Sequence, residues 1–242
     1  MASLAEVLTK KELLERYVQA AWVLKLRLIS SRRHLWAETT SLIHIETSLL
    51  QMRKACEAVG YMCVLAAEIE TERPLPKHRK NYKVGKIFKA LGSTDHLRFP
   101  RMARRSLNKE IDGRQHWKLE VQDSSKDDHL RVARIHKRSG DLLHEKPPYI
   151  EWPQNSEVAQ ATLGPLLNHV RADHQWLWNR LWVHAIWFRD GLLVVELGED
   201  TNSGQPFVIK EDTLLAEDLH VALDPEFVAD FNGELKWPQD VA

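Results

Sequence analysis

The sequence is short of several things, and each shortage excludes something. It has two cysteines in 242 residues, Cys56 and Cys63. They fall in one helical pattern about 10 Å apart along its axis, too far for an intramolecular disulfide. A disulfide-stapled scaffold is excluded, and reduced thiols in a core are expected. No apolar run approaches the roughly eighteen residues of a membrane span, and the first residues carry no charged-then-apolar leader pattern. A cytoplasmic protein with no membrane partner is therefore expected. Neither sign of charge is in excess, since 34 Lys and Arg balance 34 Asp and Glu; binding of nucleic acid by overall charge is excluded, and any such function must rest on a local patch. The stretch KVGKIFKALG lacks the lysine-serine ending of a nucleotide-binding loop. His129, His136 and His144 share a helical face but stand too far apart along it for one ion, so no metal or other cofactor is expected. Internal repeats and low-complexity tracts are absent.

What is present is helical periodicity. Leu14, Tyr17, Ala21, Leu24 and Leu28 alternate by threes and fours, which predicts a core-facing helix over 10–35. Leu42, Ile45, Leu49, Met52, Cys56, Val59, Cys63 and Ala66 continue the pattern in a second helix, capped by Thr39 or Thr40 and ending before Pro74. The two should pack antiparallel. From 71 to 125 the prolines, glycines and basic residues predict a loop-rich insertion, with one short helix around KVGKIFKAL and a short strand at WKLEV. A helix capped by Ser124 or Ser125 should run to His144, stopped by Pro147 and Pro148. Another should span about Ser156 to Trp178, with Pro165 at a kink or a late start. The period then changes to two: LWVHAIWF, LLVVEL and PFVIK predict an antiparallel meander. The expected fold is mainly α (α+β), a helical bundle over 1–180 with a small C-terminal antiparallel β-meander and tail over 181–242.

The chemistry concentrates in HKRSGDLLHEKPPY, residues 136–149. Arg138 and His144 enclose five residues, a spacing close to that of Arg27 with His34, Arg73 with His78 and Arg131 with His136. Only the Arg138 pair ends a helix with a small-residue element, Ser139 and Gly140, two anchoring leucines and a proline stop. A guanidinium matches phosphate oxygens with a planar fork, and an imidazole titrates near neutrality. Six steps along an ideal helix set His144 about 120° from Arg138, so the pair converges only if the helix distorts at Gly140 or a second subunit contributes. The plainer alternative pairs Arg138 with Asp141 or Glu145 and leaves His144 as a helix-end cation. Arg53 and Glu57 have intrahelical ion-pair spacing, and burial would direct Arg53 to the same site. Lys77, Arg79, Lys80 and Lys83 are candidate phosphate contacts, or a solvated face. Trp176, Trp178, Trp182 and Trp187 fit core packing better than base stacking.

Two elements carry a resemblance: Met52, Arg53, Lys54 and Glu57 in the second helix, and Arg138, Gly140, Leu142, Leu143, His144 and Pro147 later. The chain resembles an uncharacterised bacterial family that joins an LRKxxE-type helix to an RCGxLLHxxNP-type element and a small β unit. It departs from that pattern in Ser139, where cysteine is expected, and in Lys146 rather than asparagine ahead of Pro147. More distantly it is similar to the HEPN superfamily, many of whose members are dimeric, metal-independent ribonucleases of defence and toxin systems. That resemblance implies an Arg138 that neutralises the scissile phosphate and a His144 that moves a proton. It also implies RNA as substrate, a homodimer, and a protein partner from the same defence system. The alternative is a non-enzymatic helical interaction module or regulatory subunit.

Overall fold

Helix α1 (Lys10–Leu35) begins at a capping box in which Thr9 and Glu12 satisfy each other's backbone amides. A computed structural model of the chain describes residues 8–38, 41–79, 81, 83–94, 96–111, 114–122, 127–144, 156–189, 191–198 and 207–211. Helix α2 (Leu42–Thr71) is capped by Ser41, not by Thr39 or Thr40, which lie outside the described residues. It ends where Glu72 takes a left-handed conformation, φ 53°, ahead of Pro74. The two helices run antiparallel, with Ser31 and Ser48 hydroxyls donating to each other's carbonyl oxygens at 3.5 and 3.2 Å.

Helix α2 is the centre of the molecule, and from Ala55 to Ala67 nearly every side chain is buried. A helix apolar all round must be covered on every side. Here α1 covers one face, α5 (Asp128–His144) another, and the short α4 (Val84–Gly92) closes over Gly60. A Cβ at Gly60 would lie 3.3 Å from Ile87 Cδ1, so the missing side chain permits the close approach. Helix α6 (Ser156–Leu181) holds Pro165 within its length and docks on α1. Arg171 donates twice to the Leu35 carbonyl, at 2.9 and 2.7 Å, and His174 Nε2 donates to that of Leu28 at 2.9 Å.

The expected loop-rich insertion holds more order than its composition indicates. After α3 (Pro76–Arg79) and α4 come β1 (Arg101–Ile111) and β2 (Arg114–Val121), an antiparallel hairpin with an irregularity between Leu107 and Lys109. Charged residues and that register shift break the apolar alternation by which a strand is recognised. The meander of β3 (Val183–Phe188), β4 (Gly191–Glu196) and β5 (Phe207–Glu211) follows α6 as expected, and β1 adds to its edge through Arg101 and Met102. The sheet order is β2-β1-β3-β4-β5.

One face of this sheet belongs to the helical core, through Ile186, Leu193, Val195 and Leu197. The other carries a small cluster of Ala103, Ala185, Leu192 and Val194. The chain is thus mainly α with a small antiparallel sheet. Among the described residues no helix is long and apolar enough to cross a membrane.

Candidate functional site

Helices α5 and α6 are bridged by side chains whose order shows that they run antiparallel. Asp128 pairs with Arg180, whose Nε donates to Oδ2 at 2.7 Å. The Arg131 guanidinium lies 4.5 Å over the Trp176 ring, a cation–π distance. Arg138 then meets both His169 and Asp173: Nη1 faces His169 Nε2, and Nη2 donates to Asp173 Oδ2. Asp173 is 7% exposed, and a buried carboxylate needs a charged partner. The Arg138 side chain is 38% exposed, so the guanidinium meets α6 on one side and solvent on the other.

Helix α2 supplies the neighbouring wall. Arg53 Nε lies 3.5 Å from Glu57 Oε1, and Lys54 Nζ donates to Glu57 Oε2 at 2.8 Å. From α5, His136 Nε2 stands 3.4 Å from Glu57 Oε1, an ion-pair distance without hydrogen-bond alignment. Burial raises the Glu57 carboxyl pKa, but the imidazole of His136 and the ammonium of Lys54 outweigh it and hold the group at about 2. The Arg53 guanidinium lies over Gly140: a Cβ there would fall 2.8 Å from Nη1. The two sequence elements that carry the family resemblance therefore touch through Arg53 and Gly140, and Glu57 of the first faces His136, two residues ahead of the second.

The expected residues divide on this geometry. Arg138 is in the seam, but its carboxylate partner is Asp173 of α6 and not Asp141, which is exposed; Glu145 lies outside the described residues. His144 closes α5, and its side chain lies outside the described residues. Arg53 keeps the expected ion pair with Glu57 and also reaches α5. The basic group comes apart. Arg79 is a structural anchor, because its Nε and Nη2 clasp the buried Glu68 at 2.9 and 2.6 Å, while Glu68 also accepts from the Leu75 amide at 2.6 Å. Lys77 and Lys83 are exposed, and Lys80 lies outside the described residues.

Three of the four clustered tryptophans pack as expected. Trp178 and Trp182 stack at 3.8 Å, with Arg32 4.8 Å over Trp178, and Trp176 lies beneath Arg131, while Trp187 is 48% exposed. Among the described residues no cluster of ligand-type side chains has a metal-binding arrangement. The helix α5 histidines go separate ways, His129 to Phe88 and Phe99 and His136 to Glu57.

Sequence reasoning missed His169 and Asp173 as partners of Arg138. Their signal was present: His169, Asp173, Trp176 and Arg180 fall on one helical stripe, beside the apolar positions of α6. Fold and site together define a helical-bundle protein with an appended antiparallel sheet and a charged seam between two of its helices. Comparison with family models, curated proteins and solved structures finds no match.

Proposed function

We propose that the chain is a HEPN-like RNA-binding protein that acts as a metal-independent endoribonuclease in a bacterial defence or toxin-type system. It works in the cytoplasm as a homodimer. Arg138 neutralises the scissile phosphate and His144 moves a proton of the reaction, while Arg53 adds positive charge beside Gly140. The observation that supports this reading is the approach of the LRKxxE-type and RCGxLLHxxNP-type elements across the α2–α5 interface. Two halves of one site would have to meet in this way. The exposed Lys77 and Lys83 extend the phosphate-binding surface away from the seam.

The test is incubation of purified protein with total RNA in EDTA. Cleavage should persist, because imidazole-assisted attack by a 2′-hydroxyl uses no metal-bound water. Arg138→Ala and His144→Ala should each abolish it in a folded protein.

A second reading is favoured by the Arg138–Asp173 pair. A guanidinium already held by a carboxylate can serve to join α5 to α6, as in a non-enzymatic interaction module or a subunit for a protein partner. Absence of cleavage by the wild type, with a large loss of stability in Arg138→Ala, would select that reading.

A further inference from the structure

We propose that His169 is a catalytic residue of the seam, the base that takes the 2′-hydroxyl proton of RNA within the same protomer that supplies Arg138. The proposal rests on the endoribonuclease reading and names a group that the paired sequence elements do not contain. It answers a difficulty in them. His144 is set about 120° around α5 from Arg138 on an ideal helix, so the two do not converge from one helix. The imidazole that meets the Arg138 guanidinium comes instead from α6, with His169 Nε2 against Nη1.

Two features of the geometry fit the role. An imidazole nitrogen that accepts from an arginine N–H does so with its lone pair, and a base needs that lone pair. His169 is exposed and Arg138 is 38% exposed, so both are accessible to a large substrate. Asp173 is a positioning residue. Buried at the foot of the pair, it holds Nη2 while His169 holds Nη1. A guanidinium has five N–H donors, and those not turned to α6 remain to receive a phosphate.

The reaction balances without a redox partner. The phosphate takes over Nη1 of Arg138, and the His169 Nε2 lone pair so released accepts the 2′-hydroxyl proton as the 2′-oxygen bonds to phosphorus. The bond from phosphorus to the 5′-oxygen breaks, and that oxygen takes up a proton, delivered by His144 of the second subunit of the homodimer. The products are a 2′,3′-cyclic phosphate and a 5′-hydroxyl. Arg138 balances the charge that builds on the phosphoryl oxygens.

The experiment uses full-length protein in EDTA and two oligonucleotides, one with an ordinary 5′-oxygen at the cleavage site and one with a 5′-sulfur, a leaving group that needs no proton. His169→Ala should lower cleavage of both by about 10²- to 10⁴-fold, the usual contribution of a general base, with an unchanged melting temperature. His144→Ala should lose activity on the oxygen substrate and regain it on the sulfur one. Mixing Arg138→Ala with His169→Ala protein should restore nothing, since both residues belong to one protomer. Full activity of His169→Ala beside an inactive Arg138→Ala would overturn the assignment and leave the nuclease reading standing. So would recovery of activity in the mixture, which would place the groups in different subunits. No cleavage by the wild type would overturn both.

Discussion

Gly140 is the position where a single atom divides stability from function. It is buried against the α2 wall, and the space a side chain would take is held by the Arg53 guanidinium, 2.8 Å from an added Cβ at Nη1 and 3.4 Å at Cζ. In Gly140→Ala two effects oppose each other. Alanine favours the helix by about 1 kcal/mol, while the guanidinium, the far end of a flexible chain, must swing away. Stability should therefore change by less than about 1 kcal/mol, read from a denaturant melt, whereas RNA cleavage should fall because Arg53 no longer lies beside α5. Unchanged cleavage in this variant would remove Arg53 from the site. Gly140 was legible in the sequence as a special residue, but its reason was not. The sequence offers a distortion at Gly140, or a second subunit, as a way for Arg138 and His144 to converge; the structure uses the absent side chain to admit an arginine from another helix.

Among the elements, α1 and α2 were the most legible, because a buried helix announces itself through its apolar residues and these two bury theirs over whole lengths. The seam was less so. Asp128, Arg131 and Arg138 on α5 and Arg180, Asp173 and His169 on α6 have the composition of solvated faces, and the stripe on α6 does not by itself reveal that α5 answers it across 31 to 52 residues of chain. The role of Arg79 was hidden in the basic run for the same reason, since Arg79 resembles its lysine neighbours until Glu68 is placed beside it. From this packing α2 should be the best-protected element in hydrogen exchange, with its central amides exchanging only through global unfolding. Leu49, 4% exposed against α1, should cost about 2–5 kcal/mol on truncation to alanine. Fast exchange throughout residues 45–65 would be incompatible with α2 as the bundle's centre.

At the scale of the whole molecule, two neutral histidines join its parts. His174 ties α6 to α1 through the Leu28 carbonyl and packs between Trp36 and Trp178. His184 ties the sheet to α1, with Nδ1 2.7 Å from the Leu181 carbonyl and Nε2 3.1 Å from the Tyr17 hydroxyl. Burial pulls both imidazoles down to about 4, and the charge of Arg32 adds to the effect at His174; the hydrogen bonds to Leu28 and Leu181 act the other way and are outweighed. In the unfolded chain an imidazole titrates near 6.5, so below that pH the unfolded state binds protons that the folded state refuses. The stabilisation is then fully present above pH 6.5 and is lost as pH falls to about 4. Glu57 adds a separate, lower window. Its carboxyl is depressed to about 2, so its contribution is present above its ordinary value near 4.5 and disappears only as pH falls from there towards 2. The melting temperature should accordingly decline in two stages on acidification, the first between pH 6.5 and 4. In a His174→Gln, His184→Gln variant that first slope should flatten, whatever the variant's absolute stability, while the lower stage remains. A melting temperature level from pH 6.5 to 4 in the wild type would show that neither histidine holds the helices and the sheet together in its neutral form.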